Sequence, residues 1–274
     1  VIGRTATMVL LAATGFSWLA ITPRLSANSQ GGPSRGIRLL DPGDDMIPMA
    51  PFREPKTGSG NERAPPLDTI RVAVADGSTN RLAGVLPRVA RFETVALAAD
   101  PDLVWDAASR TATTGDGIVA YDIDAADLPA VIDRVAVARG LCKIAASKPQ
   151  PIKAPTGTKL KRKGERVEIE VTDVARRALI LFDIAGDGTV QALYPFGADE
   201  RVVQAPTFRF SLQTRAPFGA DLIVAISAAA PMEALEQGLR ALSRYRSSGE
   251  VLNLIAETAP TDARFGCVAL WSAP

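Results

Sequence analysis

The chain has 274 residues, 47% of them hydrophobic and 22% charged, with a net charge of +1 at pH 7. That length accommodates one or two domains with a sizeable core, and the near-neutral balance supplies no global field toward nucleic acid or an anionic membrane. Histidine is absent, which excludes Ser-His-Asp and Cys-His nucleophile activation, imidazole acid–base work and His-based metal sites.

The first element in chain order is Thr5–Ile21, which carries no charged residue. As a helix it would be about 26 Å long, near the lower limit for crossing a bilayer. We expect a single N-terminal membrane anchor over residues 1–21. A cleaved secretory signal is the rival reading, but bulky Leu25 stands where cleavage wants a small residue. A buried core helix is the third. Arg4 and Arg24 flank the segment on both sides, so its orientation is weakly specified. Residues 22–68 hold eight prolines and six glycines with no sustained hydrophobic period. Such a stretch is expected to be a disordered tether, because it has too little apolar surface to offset its ordering entropy.

Residues 69–147 read as a small α/β subdomain. Ile70, Val72 and Val74 alternate with Arg71 and the alanines, which predicts a half-buried strand. Further strands are expected near Thr94–Leu97, Leu103–Trp105 and Ile118–Ile123, with Gly115-Asp116-Gly117 as a turn before the last. A helix follows, with Asp127 as its cap and Pro129 in its first turn. Leu128, Val131, Val135, Ala138, Cys142 and Ala145 recur along it at helical spacing and should dock on those strands. Cys142 and Cys267 are expected to be small buried core residues, with a disulfide between them left open.

Residues 148–274 read as a β-rich domain. Pro149, Pro151 and Pro155 break the chain after the helix. The basic run Lys159, Lys161, Arg162, Lys163 is expected to be a solvated loop rather than a nucleic-acid or lipid contact. Val167, Ile169 and Val171 give one buried strand face. Ala178–Ile184 is apolar on both faces and is expected to be a central strand. Asp187-Gly188 turns it into a hairpin with Thr189–Tyr194, as a type I′ turn. Phe208, Phe210 and Leu212 alternate in another strand, and Leu222–Ile226 forms a further buried one. Pro231 opens a helix with Met232, Leu235, Leu239 and Leu242 inward and Glu236 and Arg240 outward. Gly266–Trp271 is the last strand. The fold class is α+β: predominantly antiparallel β, a sandwich or curled sheet with packed helices.

Part of this pattern carries a resemblance. An apolar strand, Asp187-Gly188, Leu193-Tyr194-Pro195, Pro217-Phe218-Gly219 and a strand ending Ala225-Ile226-Ser227 together resemble a bacterial domain family of unknown function. That family occurs in envelope-associated proteins and is often appended to caspase-like (metacaspase-type) peptidase domains. The match covers roughly residues 160–230. The preceding Leu103-Val104-Trp105-Asp106 and Gly117–Ala120 are similar to the segment before this domain in alphaproteobacterial caspase-family proteins. The resemblance implies a bacterial cell-envelope location, with the globular part periplasmic. It carries over no catalytic residue, because such a peptidase needs His and Cys and this chain has no His. A peptidase domain belonging to the same protein would precede Val1.

Candidate chemistry is sparse. Asp183 and Asp187 flank the hairpin turn, but the calcium-hand spacing is missing, and turn formation accounts for Asp187. Gly186 and Gly188 lack the third glycine of a dinucleotide site. Asp187, Gly188, Tyr194, Pro195, Pro217, Phe218 and Gly219 are expected to be structural, with an exposed Tyr194–Phe218 patch as the functional alternative. No cofactor or metal is expected. The function expected is a non-catalytic, envelope-tethered binding, sensor or scaffold module for a protein, peptide or cell-wall component. The alternative is an accessory or regulatory C-terminal region of a caspase-like cysteine peptidase.

Overall fold

The computed structural model describes residues 66–155, 157, 160–196 and 200–274. The expected anchor at Thr5–Ile21 and nearly all of the 22–68 tether lie outside them. Among the described residues, no helix is long and apolar enough to cross a membrane.

The architecture is mixed α+β and mostly β. The first sheet comprises β1 (Ile70–Val74), β2 (Phe92–Thr94), β3 (Leu103–Asp106), β4 (Thr111–Thr114) and β5 (Gly117–Ala120), in the order β2-β1-β3-β4-β5. β1 runs parallel to both β2 and β3, and the rest is antiparallel. Ala73 is as buried as Ile70 and Val72, so β1 is covered more fully than its alternation implied. β2 sits slightly earlier than expected, and Leu97–Ala99 is a 3₁₀ turn instead. β4, with the sequence TATT, has no large apolar residue to betray it.

The long helix α1 (Leu128–Ser147) follows, with Pro129 in its first turn. Asp127 stands at the N-cap position, as expected, but its side chain makes no capping hydrogen bond. Its carboxylate instead accepts the Asp124 N–H and pairs with Arg246. Eleven of the 20 residues of α1 are buried, because the helix has two apolar faces. Leu128, Val131, Ile132, Val135 and Ala136 pack on the first sheet around Ile70, Val72 and Leu103. Val137 and Leu141, with Ala138, Ile144 and Ala145, pack into a second core. At 100° per residue these two sets fall on opposite sides of the helix. The expectation that α1 docks only on the preceding strands is therefore half of the picture.

The second core belongs to a six-stranded sheet. Its path is β10 (Val190–Tyr194), β9 (Arg177–Ile184), β13 (Ala220–Ala228), β14 (Arg264–Ala273) and β7 (Lys161–Arg162), with β11 (Val202–Val203) also on β9. Ile180, Phe182, Ile184, Leu222, Val224 and Ile226 face α1 and two further helices, α2 (Glu233–Leu242) and α3 (Ser248–Thr258). Leu179, Leu181, Ile223 and Ala225 point to the opposite face. There they meet Val167, Ile169, Val171, Phe210 and Leu212 of a three-stranded sheet, β12 (Thr207–Gln213), β8 (Arg166–Thr172) and β6 (Ile152–Lys153). The period-2 alternation of β9 and β13 thus feeds two cores at once, and each fully buried aliphatic side chain contributes about 1.5–3 kcal/mol. Glu236 is not outward on α2: it is buried and pairs with Arg201 at 2.8 Å and Arg240 at 2.9 Å.

The first sheet joins the six-stranded one through backbone. Ala120 bridges Gly219, and the Tyr121 N–H donates to the Phe218 carbonyl. The approach is so close that a Cβ on Gly186 would lie 1.7 Å from the Val119 carbonyl oxygen, and one on Gly219 2.0 Å from the same atom. Gly219 also has φ +143, so glycine is required there twice over.

Two predictions follow from this packing. Gly186→Ala should destabilise the protein by about 3 kcal/mol, since backbone cannot yield to the added methyl. Gly115→Ala, with open space around it, should change stability by less than about 0.5 kcal/mol. Urea unfolding of the two variants makes the comparison. The second concerns Asp133 on α1, which is buried and accepts the N–H groups of Arg88 (2.8 Å), Val89 (3.1 Å) and Ala90 (2.8 Å). Burial raises its pKa despite those three donors. A carboxyl whose folded pKa is raised contributes most below its unfolded pKa and loses that contribution as pH climbs through the folded value. The stability of wild type relative to Asp133→Asn should therefore fall with rising pH across the acidic range and then level off, in unfolding curves taken pH by pH.

Candidate functional site

The hairpin between β9 and β10 carries the sequence's most distinctive punctuation. Gly188 N–H donates to Ala185 C=O, Ala185 N–H donates to Thr189 C=O, and within the turn only Gly188 has a positive φ, at +87. A type I′ turn needs positive φ at both central residues, so this is instead a type I turn closed by a left-handed glycine. Asp187 does more than turn the chain. Its carboxylate accepts the Thr189 N–H at 3.0 Å and lies 3.5 Å from Arg246 Nε.

Asp187 belongs to a buried charge cluster. Asp183 on β9 and Asp221 on β13 are 1% and 2% exposed. Ile223 stands opposite Asp183 in the ladder, so the two aspartates are diagonal neighbours on one face of the sheet. Arg134 reaches in from α1 and donates to the Ala220 carbonyl. Burial pulls the Arg134 pKa down, and the nearby Asp221, Asp183 and Asp187 carboxylates oppose that shift. The arrangement neutralises charges inside the fold and leaves the carboxylates out of a substrate's reach. Among the described residues, no group of three or more His, Cys, Asp or Glu is placed to hold a metal ion.

The remaining sequence-singled residues divide between core and junction. Tyr194 ends β10 and is buried, its ring centroid 4.5 Å from that of Phe208 and its hydroxyl donating to the Glu200 carbonyl. It therefore cannot serve in an exposed aromatic patch. Pro195 follows directly, and its carbonyl accepts Arg240. Pro217, Phe218 and Gly219 lead into β13 at the point where β5 docks.

That docking leaves a groove of about 510 Å³ lined by Asp116, Gly117, Ile118, Tyr121, Leu160, Trp271 and Ser272. β5 supplies one wall and the end of β14 the other. A Cβ on Gly117 would lie 3.3 Å from Trp271 Nε1, so glycine lets the indole lie against the strand. The Trp271 Nε1–H is shielded and has no hydrogen-bond partner among the described residues. Leu160 is 53% exposed at the rim and runs directly into β7, where Lys161 and Arg162 pair with Ser272 and Ala273 of β14. Tyr121, Leu160 and Trp271 were not singled out from sequence. They lie on three distant segments, and only the β5–β14 approach brings them together.

The two cysteines are the other departure. Cys142 is exposed rather than buried in its helix, and Cys267 on β14 is half-buried against the second core. The Cys267 thiol and the Arg134 guanidinium, against some burial, hold the Cys142 pKa down to about 7. The Cys142 thiol and burial push Cys267 up.

Compared with protein-family models, curated proteins and solved structures, the chain matches none.

The charge cluster makes a sharp expectation. Arg134→Ala strands buried carboxylates and should cost about 3–5 kcal/mol. Adding Asp221→Asn should recover part of that loss, and a double-mutant cycle in urea reads the coupling directly.

Proposed function

We propose that this chain is a non-catalytic binding module, held at the bacterial cell envelope by Thr5–Ile21 and the 22–68 tether, with its globular part periplasmic. Its occupant is an extended peptide segment bearing carboxylates, bound in the groove between β5 and β14. The observation that carries this reading is the groove itself. It is walled by the apolar and aromatic side chains of Ile118, Tyr121, Leu160 and Trp271. Pockets at junctions between structural units, apolar with few polar groups, are the usual place for recognition. The adjacent Lys161-Arg162-Lys163 run favours an acidic ligand, and the Gly117–Ile118 edge suits an extended one. The buried carboxylates of Asp183, Asp187 and Asp221, by contrast, lie inside the fold.

A second reading keeps the family resemblance. Asp187, Gly188, Tyr194 and Pro195 occupy one hairpin and its exit, and Pro217-Phe218-Gly219 lead into β13, the strand beside it. This ordered placement favours residues 160–230 being one unit of that family, and so an accessory or regulatory region of a caspase-like cysteine peptidase. A His and Cys peptidase domain encoded in frame upstream of Val1 would support it.

The binding reading is tested by selecting a displayed random-peptide library on the full chain in detergent. Enriched peptides should carry Asp or Glu beside aromatic or aliphatic residues, and should bind more weakly as salt rises. Leu160→Asp, at an exposed rim position, should weaken them about tenfold or more, as should Tyr121→Ala. Peptides that bind both variants with unchanged Kd, or no enrichment at all, overturn the reading.

A further inference from the structure

The first sheet carries a second cleft, which shares no lining residue with the β5–β14 groove. Its position follows from the path of the chain. β1 lies between β2 and β3 and runs parallel to both. Ile70, Val72 and Val74, on one face of β1, join the core under α1. So do Leu82, Val85 and Ala90 of the connection that leaves β1 for β2. Arg71 stands on the other face of β1. Its guanidinium donates to the carbonyls of Ala99 and Asp100, in the connection that leaves β2 for β3. The two connections therefore cover opposite faces of the sheet.

Where neighbouring parallel strands send their exits to opposite faces, a crevice opens beyond their carboxyl ends, and ligands of open α/β sheets bind there. The cleft lies at that point. Val74 at the end of β1 borders it, with Thr79 and Asn80 just beyond; so do Thr94 at the end of β2 and Ala96 and Leu97 just beyond. Its volume of about 580 Å³ falls within the range of small-ligand sites.

The lining selects against ions. Among the described residues, no charged side chain borders the cleft. Asp76 and Arg81, in the exit from β1, pair with each other at 3.3 Å. An anion cradle needs successive backbone N–H groups free to point at the ligand. Here the Gly77 N–H donates to the Val74 carbonyl, the Thr79 N–H to Gly77, the Arg81 N–H to Ser78, and the Ser78 N–H to the Asp76 carboxylate at 2.9 Å. The cleft offers instead the hydroxyls of Thr79 and Thr94 and the carboxamide of Asn80, groups that both donate and accept. All three residues are exposed. Beside them lies aliphatic surface, chiefly Leu97, which is 51% exposed. A sugar ring has the matching character: hydroxyls that donate and accept around its edge, and an apolar C–H face.

We propose that this cleft binds a neutral sugar ring, with Thr79, Asn80 and Thr94 hydrogen-bonding its hydroxyls and Leu97 packing on its C–H face. The site is independent of the peptide groove between β5 and β14.

The test screens the full chain, in a sugar-free detergent, on an array of neutral, carboxylated and phosphorylated oligosaccharides, and titrates the hits by calorimetry. Neutral members should bind, with a Kd that does not change as salt rises. Asn80→Asp and Thr94→Val keep the side-chain shape at exposed positions, and each should weaken binding about fivefold or more. Leu97→Ala should weaken it similarly, and Leu160→Asp in the other groove should leave it unchanged. No binding by neutral members, or binding confined to the acidic ones, overturns the proposal. So does a wild-type Kd in both Asn80→Asp and Thr94→Val, or loss of sugar binding in Leu160→Asp, which would move the site to the other groove.

Discussion

The structure depends on a helix that is buried on two sides. α1 offers one apolar face to the first sheet and another to the six-stranded sheet. A helix with apolar residues round most of its circumference is stable only when it is enclosed. Enclosure has a consequence for its polar residues, which must find partners inside the protein. Asp133 finds three backbone N–H groups on the loop at 88–90. Arg134, the next residue, finds the Ala220 carbonyl and the nearby aspartates. One turn of helix thus ties down a loop of the first sheet and the start of a core strand of the second.

Where sequence pattern tracks one face of one element, it reads through to structure. Ala178–Ile184 was legible as a central strand because a strand apolar on both faces needs cover on both. The alternations in β8 and β12 were legible because each has one core face. The stripe along α1 was legible too, but its meaning was not. Val137 and Leu141 lie off that stripe, and only the second sheet gives them something to face. Elements with weak apolar content stayed hidden. β4 is threonine and alanine, and its pairing comes from its neighbours rather than from its own side chains. α3 is short, contains Gly249, and has no side-chain cap to mark its start. Its helical form is settled by packing against α1 and α2.

The groove illustrates a different limit. Its residues have no common spacing, so nothing periodic could have assembled them. What sequence did offer was glycine, at 117, 186 and 219. Each sits where backbone or indole comes too near for a Cβ. Read as turn-formers, these glycines seemed to concern local geometry. In the structure they permit a long-range approach, in which β5 is pressed against the β9–β10 turn and the entry to β13. The groove is the space left beside that contact, where the strand edge runs past Trp271. Its shape is therefore set by backbone packing, and its chemistry by the few side chains that happen to border it.

β14 runs past both the second core and the groove. Cys267, Ala269 and Trp271 alternate along it and so share a face. Midway, that face packs against the second core through Cys267, and near its end it forms a wall of the groove. The strand is hydrogen-bonded to β13 for most of its length, which makes it a stiff element rather than a hinge. A constraint on Cys267 is thus transmitted along a rigid ladder toward Trp271, and the same ladder resists its distortion. The second core and the groove consequently share one mechanical support, and α1, packed from both sides, holds that strand in place.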